Sequence, residues 1–398
     1  MAERNLDFDT IVDRKNTDSL KYDFAVKRGM PEDVLPLWVA DMDFRTSSYI
    51  EDALNRCAAH GIFGYTEGRE AYFEALSGWM KRHYNWQIEE SWVVKTPGVV
   101  FALAMAVKAY TKEGEGILIQ QPVYYPFSGV ILDNNRKLVN SPLRLTEEGR
   151  YEMDFADLEE KIRAEQVKMM ILCNPHNPVG RVWTKEELLT LGNICKKYGV
   201  ILVSDEIHAD FVHKGTHQVF AKLDKDFADF TITCTSPGKT FNIAGLQISN
   251  IMISNEELRK KFIKAIDGAG YSQLNTMGIA ACEAAYRDGD EWYQAMLSYV
   301  QDNIAYTKGF LEERIPKIKL MEPEGTYLLW LDFRPLGLTR NEEKELVVER
   351  AKLWLDEGLM FGREGKSFWR VNAACPRATL QEALERLEKA VKEMERKG

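Results

Sequence analysis

One lysine stands in company that rarely suits it. In Thr233-Cys234-Thr235-Ser236-Pro237-Gly238-Lys239-Thr240-Phe241-Asn242-Ile243-Ala244-Gly245-Leu246 a β-rich run ends at a small, turn-prone cluster, and Lys239 follows at once. Behind it come an amide, small residues and apolar ones. A charged ammonium is strongly hydrated and costly to bury, so a lone lysine after a turn is ordinarily a surface residue. A desolvated amine with a lowered pKa is the other reading, and it can form a Schiff base with a carbonyl. The rest of the chain decides between them.

Other groups with chemistry follow apolar runs in the same way. Asn174-Pro175-His176-Asn177-Pro178 follows the run ending at Cys173, and Ser204-Asp205-Glu206-Ile207-His208 follows the run ending at Val203. Pro122-Val123-Tyr124-Tyr125 follows Gln120, and Gly98 opens an alanine-rich helix whose free N–H groups and dipole suit an anion. Ligands of parallel sheets bind at the carboxyl ends of the strands. Each group alone has a plain explanation, since Asn-Pro makes turns, aspartates cap and Tyr-Tyr-Pro packs. Together they offer a lysine, a carboxylate, an amide, a flat aromatic and a phosphate cradle. That set meets the needs of pyridoxal 5'-phosphate (PLP).

The elements that must position these groups are legible in outline. Apolar strands are expected over 93–96, 116–120, 168–173, 200–204, 230–234 and 248–253. Helices separate several of them; the clearest, 185–198, opens with the capping box Thr184-x-x-Glu187. Short continuous apolar strands alternating with helices predict an α/β fold with a parallel sheet covered on both faces. Near residue 290 the rhythm changes. A long helix over 291–315 is stopped by Pro316, a strand follows over 326–333, and a capped helix from Thr339 is expected to end near Gly358. Leu380, Leu384, Leu387, Val391 and Met394 give the last helix one apolar face. The expected division is an N-terminal segment over 1–50, a large domain over 51–288 and a small α+β domain over 289–398. Within the first, Leu37-Trp38-Val39-Ala40-Asp41-Met42-Asp43-Phe44 reads either as a capped turn or as a pocket wall. Gly61-Ile62-Phe63-Gly64-Tyr65-Thr66-Glu67-Gly68 reads as a tight loop that presents an aromatic hydroxyl.

Composition narrows the function. A chain of 398 residues is too long for one compact core, and 45% hydrophobic with 28% charged residues is ordinary for a globular protein. A net charge of −9 argues against nucleic acid as a partner. The cysteines show no CxxC pair or zinc-like spacing, so no metal is expected. Four of them lie in apolar stretches, as buried free thiols of a cytoplasmic protein would. The charged N-terminus has no apolar leader core and no run is long enough to span a membrane. No GxGxxG opens a helix after an early strand, which makes a dinucleotide-dependent dehydrogenase a poor fit.

The strings CNPHNPVGR, VSDEIHADF, SPGKTFNIAGL and FWRVNAACPR resemble the fold-type I PLP enzymes of the class I/II aminotransferase superfamily. With WVADMDF, GIFGYT, KTPGVV and QPVYYPF, the chain is most similar to the MalY/PatB-type cystathionine β-lyases, the C–S lyases. That resemblance implies a seven-stranded, mostly parallel sheet in the large domain and a homodimer with shared active sites. It implies that Lys239 carries PLP and shuttles the substrate Cα proton, and that Asp205 pairs with the pyridine nitrogen. Asn177 and His208 would face the ring's phenolic oxygen and Tyr124 would stack on the ring. Gly98, Val99, Val100 and the Ser236 hydroxyl would hold the phosphate, joined by Tyr65 across the dimer interface. Arg370 would clamp the substrate α-carboxylate, with Ala40, Tyr124 and Asn177 around it. Three positions depart from the pattern: Gly238 where many relatives have serine, Gln247 where typical aminotransferases have a phosphate-binding arginine, and Phe101 where proline is expected. The expected reaction is elimination of a thiol from S-substituted L-cysteines, giving pyruvate and ammonia. An aminotransferase would use the same residues; a PLP-binding regulatory protein would have no need of a carboxylate clamp.

Overall fold

A computed structural model describes residues 6–396; residues 1–5, on which part of the N-terminal reading rests, and 397–398 lie outside it. Its centre is a seven-stranded sheet. In spatial order the strands are Val93–Thr96, Ser249–Met252, Thr231–Thr235, Ile201–Asp205, Met169–Cys173, Gly116–Ile119 and Lys137–Asn140. All neighbours run parallel except around Ser249–Met252, which is antiparallel to both of its partners. The reason is the connection. From Thr235 the chain passes through the Lys239 turn and comes straight back, without the crossover helix that a parallel return requires. The middle strands are wholly buried, with Leu118, Met170, Ile171, Leu202, Val203 and Ile232 at 0–1% exposure, which is why they read as unbroken apolar runs.

Two strands begin and end one residue later than expected from hydropathy, and the difference matters. Asp205 closes the Ile201–Asp205 strand and Thr235 closes Thr231–Thr235, so both hydrogen-bond into the ladder before the chain turns. The 185–198 helix forms with its capping box intact. Helices Ser48–His60 and Thr276–Asp288 pack together on one flank, and Phe155–Ala164 and Glu256–Gly268 also form, the last two capped by Asp154 and Asn255.

The C-terminal part carries a four-stranded antiparallel sheet in the order Lys319–Met321, Leu328–Asp332, Phe368–Asn372, Asp356–Glu357. Helices Asp290–Arg314 and Arg377–Glu395 cover it, the latter burying Leu380, Leu384, Leu387 and Val391 as the spacing predicts. The helix opened by Thr339 differs from expectation. It runs Arg340–Lys344, widens into a π-type turn over Glu345–Arg350 and stops well short of Gly358. Lys352 turns the chain with a φ of 53°, and Leu353–Trp354 pairs in parallel with Leu35–Pro36. A distant segment has outbid local helix propensity there. Through that pairing the N-terminal segment is laid against the C-terminal part, and Trp38 stacks on Trp354 at 4.4 Å between centroids.

Candidate active site

Lys239 sits on one turn of helix, Pro237–Thr240. Ser236 caps it by accepting from the Gly238 amide at 3.0 Å while donating its own proton to the Ile248 carbonyl at 2.7 Å. Thr240 donates to Asp210, a buried carboxylate that also accepts from Tyr84 and, at 3.1 Å, from Trp79 Nε1. On the other side Asn242 stitches the turn to the 37–44 passage. Its Oδ1 accepts from the Met42 amide at 2.9 Å, and its Nδ2 donates to the carbonyls of Met42 and Phe44 at 3.0 and 2.9 Å. The 37–44 passage is therefore a wall of the Lys239 cavity, the second of its two expected readings. Among the described residues the lysine amine has no hydrogen-bond partner. Loss of hydration lowers its pKa to about 8, a shift that Arg370 reinforces and that Asp41 and Asp205 oppose.

Asp205 is buried, receives one backbone donor, the Ile207 amide at 3.1 Å, and is pushed up to about 7 by its own desolvation. A carboxylate so placed calls for a cationic partner. His208 is buried nearby with its ring against Phe211 and Tyr327 and its Nδ1 unpartnered; burial holds it neutral, at about 3. Asn177 Oδ1 accepts from Arg370 at 2.9 Å, which joins the two candidates into one unit. Arg370, 3% exposed, also donates to the Trp38 carbonyl at 3.1 Å and to Asp356, while its Nε has no partner. Tyr124 is tied by its amide to the Asn177 carbonyl at 3.0 Å and feels the charges of both Arg370 and Asp205. Ala40 is buried in the adjoining wall, its carbonyl accepting from Tyr327 at 2.6 Å.

A second cavity of about 360 Å³ meets the first at Lys239, lined by Gly98, Val99, Val100, Ser236, Gly238 and Gln247 among others. Helix Val99–Tyr110 points its N-terminus into this space. The first amide bonded within the helix is that of Ala102, which leaves those of Val99, Val100 and Phe101 without an intrahelical partner. Phe101 closes the rim against Tyr271. Gly238 is a tight fit: a β-carbon there would lie 3.0 Å from Ser236 Oγ, so the position is small because the cap is close. The structure brings Lys239, Asp205, Asn177, His208, Tyr124, Arg370 and the phosphate-cradle residues together. It does not bring Tyr65, which is 95% exposed on the loop between the first two long helices.

These residues fit PLP on their own chemistry. A lysine of lowered pKa stands within electrostatic reach of a desolvated carboxylate in want of a cation, and three free helix amides border the second cavity that this lysine lines. Four contributors escaped the sequence reading. Asp210 and Asp356 act through long-range contacts that no local spacing announces, and Tyr327 stands just before the ordinary apolar strand Leu328–Asp332. Asp41 was visible, but its role depended on where Asn242 would pull it.

Comparison with known proteins agrees with this geometry. The family "Aminotransferase class I and II" matches residues 32–387. Cystathionine beta-lyase PatB of Bacillus subtilis is 42% identical over 387 residues, covering 97% of this chain and 100% of its own. The crystal structure of cystalysin from Treponema denticola, which contains a pyridoxal 5'-phosphate cofactor, superposes with a TM-score of 0.94 at 40% identity, covering 98% and 99% of the two chains. A PLP-bound C–S lyase from Staphylococcus hominis superposes at 0.90 with 35% identity, covering 96% and 97%. With a buried lysine, an acidic strand end and this likeness over 96–98% of its length, the chain belongs to the class I and II aminotransferases, and within them it sides with the PLP-dependent C–S lyases.

Proposed function

We infer that this chain is a PLP-dependent β-lyase, eliminating the thiol from S-substituted L-cysteines such as L-cystathionine. The observation that carries the reading is that Asp205 and Arg370 lie close enough for their charges to act on the buried Lys239 amine, with Arg370 joined to Asn177 at 2.9 Å. PLP supplies the electron sink that acidifies the substrate Cα–H bond. Asp205 would hold the pyridine nitrogen protonated, Tyr124 would cover the ring face, and Asn177 and His208 would stand at its phenolic edge. The amides at Gly98, Val99 and Val100 would receive the phosphate, with Ser236 on the wall.

Arg370 presents a planar fork to the substrate α-carboxylate while Asp356 balances its charge from behind. Ala40 lies along the same edge. With the carboxylate fixed, the Cα proton faces Lys239, whose pKa of about 8 suits a general base near neutral pH. Lys239 takes that proton, the Cα–H electron pair forms the Cα–Cβ double bond, and the Cβ–S bond breaks with its electrons leaving on the thiolate. The released enamine adds water and gives pyruvate and ammonium. A thiolate is stable enough at this pH to leave without a dedicated acid.

Tyr65, with Ile62 at 72% and Phe63 at 61% exposure, forms an apolar loop tip that calls for a cover. We read it as reaching the phosphate site of the partner subunit in a homodimer. The domain division 1–50, 51–288 and 289–398 belongs to the same reading. A cytoplasmic site of action is supported by six free cysteines and by the absence, among the described residues, of a helix able to cross a membrane.

One assay tests the reaction. Holoenzyme incubated with L-cystathionine and no keto acid is expected to release pyruvate and thiol catalytically, and Lys239→Ala to lose at least about a thousandfold in kcat. Turnover that needs an added keto acid would make the chain an aminotransferase instead.

A further inference from the structure

The cavity on the open side of Lys239 has a volume of about 500 Å³, and its charges are unevenly committed. Asp43 gives one oxygen to Arg14 at 2.7 Å and the other to Lys21 at 2.8 Å. Arg45 is paired in bidentate fashion with Glu51 at 3.1 and 3.0 Å. Arg14 spends its donors on Asp41, Asp43, Ser19 and the Met42 carbonyl. Asp41 is different: Oδ2 meets Arg14, and Oδ1 has no partner among the described residues. It is partly exposed to the cavity, with a side-chain exposure of 25%.

Its position is held from both ends. The Asp41 carbonyl accepts from Asn372 at 2.8 Å and from Lys21 at 3.1 Å, and the next residue, Met42, is tied at both its amide and its carbonyl to Asn242. The backbone that carries the carboxylate is therefore held at the cavity that Lys239 also lines. Asp41 exerts a stronger pull on the Lys239 ammonium than Asp205 does. The cavity at the helix N-terminus lies on the other side of Lys239, so this space is the one beside the lysine that is left for the group attached to sulfur.

We propose that Asp41 is a specificity-determining residue that receives a cationic amine carried on the S-substituent, so that the favoured substrates are S-substituted L-cysteines with a distal ammonium. This rests on the elimination reading above and names its substrate class. The Asp41 Oδ1 lone pairs provide a charge-assisted acceptor for such an amine, which L-cystathionine also carries, whereas an alkyl group of the same shape leaves the carboxylate unsatisfied.

The test compares two near-isosteric probes, S-(2-aminoethyl)-L-cysteine and S-propyl-L-cysteine. The ratio of their kcat/KM values for pyruvate release is read in the wild-type, Asp41→Asn and Arg14→Gln holoenzymes. A general change in Lys239 basicity cancels in that ratio. Wild type is expected to favour the aminoethyl probe by about tenfold, the scale of one charge-assisted hydrogen bond in a half-open site. Asp41→Asn should erase the preference. Arg14→Gln should keep or increase it, because it removes the cation that shares the carboxylate. The same order should appear in calorimetric affinities for the two probes measured on the Lys239→Ala background, where turnover does not intervene. An unchanged ratio in Asp41→Asn overturns the proposal, as does an equal fall in both variants, which would report only a loosened N-terminal strap. Wild-type enzyme that releases pyruvate from neither probe overturns the elimination reading and this inference with it; pyruvate release without charge preference overturns this inference alone.

Discussion

At the scale of single residues, function here is a matter of which charges the fold leaves in want of water. Lys239 is expected to titrate near 8 in the apoprotein, against 10.5 for an ordinary lysine. Timed acetylation followed by mass spectrometry should therefore show its reactivity rising through pH 8, while surface lysines remain protected by protonation. The sign for stability follows from the same shift. Between pH 8 and 10.5 the unfolded chain holds a proton that the folded chain has lost, so this group adds stability as pH rises through that window. Arg370 makes a different demand, because it serves the Asn177 amide, the Trp38 carbonyl and the Asp356 carboxylate as one planar fork. Arg370→Lys keeps the charge but not the fork. Its KM for L-cystathionine is expected to rise at least about tenfold, more than kcat falls, measured by steady-state pyruvate release.

At the scale of elements, the Pro237–Thr240 turn is too short to hold itself, and its fixed position comes from what grips it. Asp210 is the main grip, joining Thr240, Tyr84 and Trp79. Asp210→Ala would leave three donors without an acceptor in a buried place. The expected loss is about 3 kcal/mol or more, at roughly 1–3 kcal/mol per unsatisfied group, read as a fall in the denaturant midpoint. Asn242 grips the other side and brings the 37–44 wall to the lysine. Hydropathy located the strands that carry these turns to within a residue. It overran the Arg340–Lys344 helix, because the pairing of Leu353–Trp354 with Leu35–Pro36 is a contact between segments remote in sequence.

At the scale of the molecule, the cleft is made by three parts of the chain: sheet ends that offer Asp205, Asn177 and Lys239, a C-terminal sheet that offers Arg370, and an N-terminal segment that closes the wall with Ala40 and Asp41. The exposed Ile62, Phe63 and Tyr65 belong to none of these. Sedimentation equilibrium is expected to give twice the chain mass of 45.7 kDa, and Tyr65→Ala to weaken PLP retention on dialysis by several-fold while leaving that mass unchanged. A monomer that retains full activity would remove the shared-site reading.

The sequence by itself determined the cast. A lysine after a strand, an aspartate at the end of another, Asn-Pro turns and a glycine-opened helix are local patterns, because strand ends, caps and turns are written in neighbouring residues. Their joint presence pointed to PLP before any contact was known. Tertiary structure alone decided the couplings. Whether Arg370 meets Asn177, whether Asp210 holds Thr240 and whether Asp41 faces Lys239 depends on packing between segments far apart in sequence. Burial set the rest: the Lys239 amine is a usable base near pH 8 and Asp205 seeks a cation because the assembled cavity strips water from both.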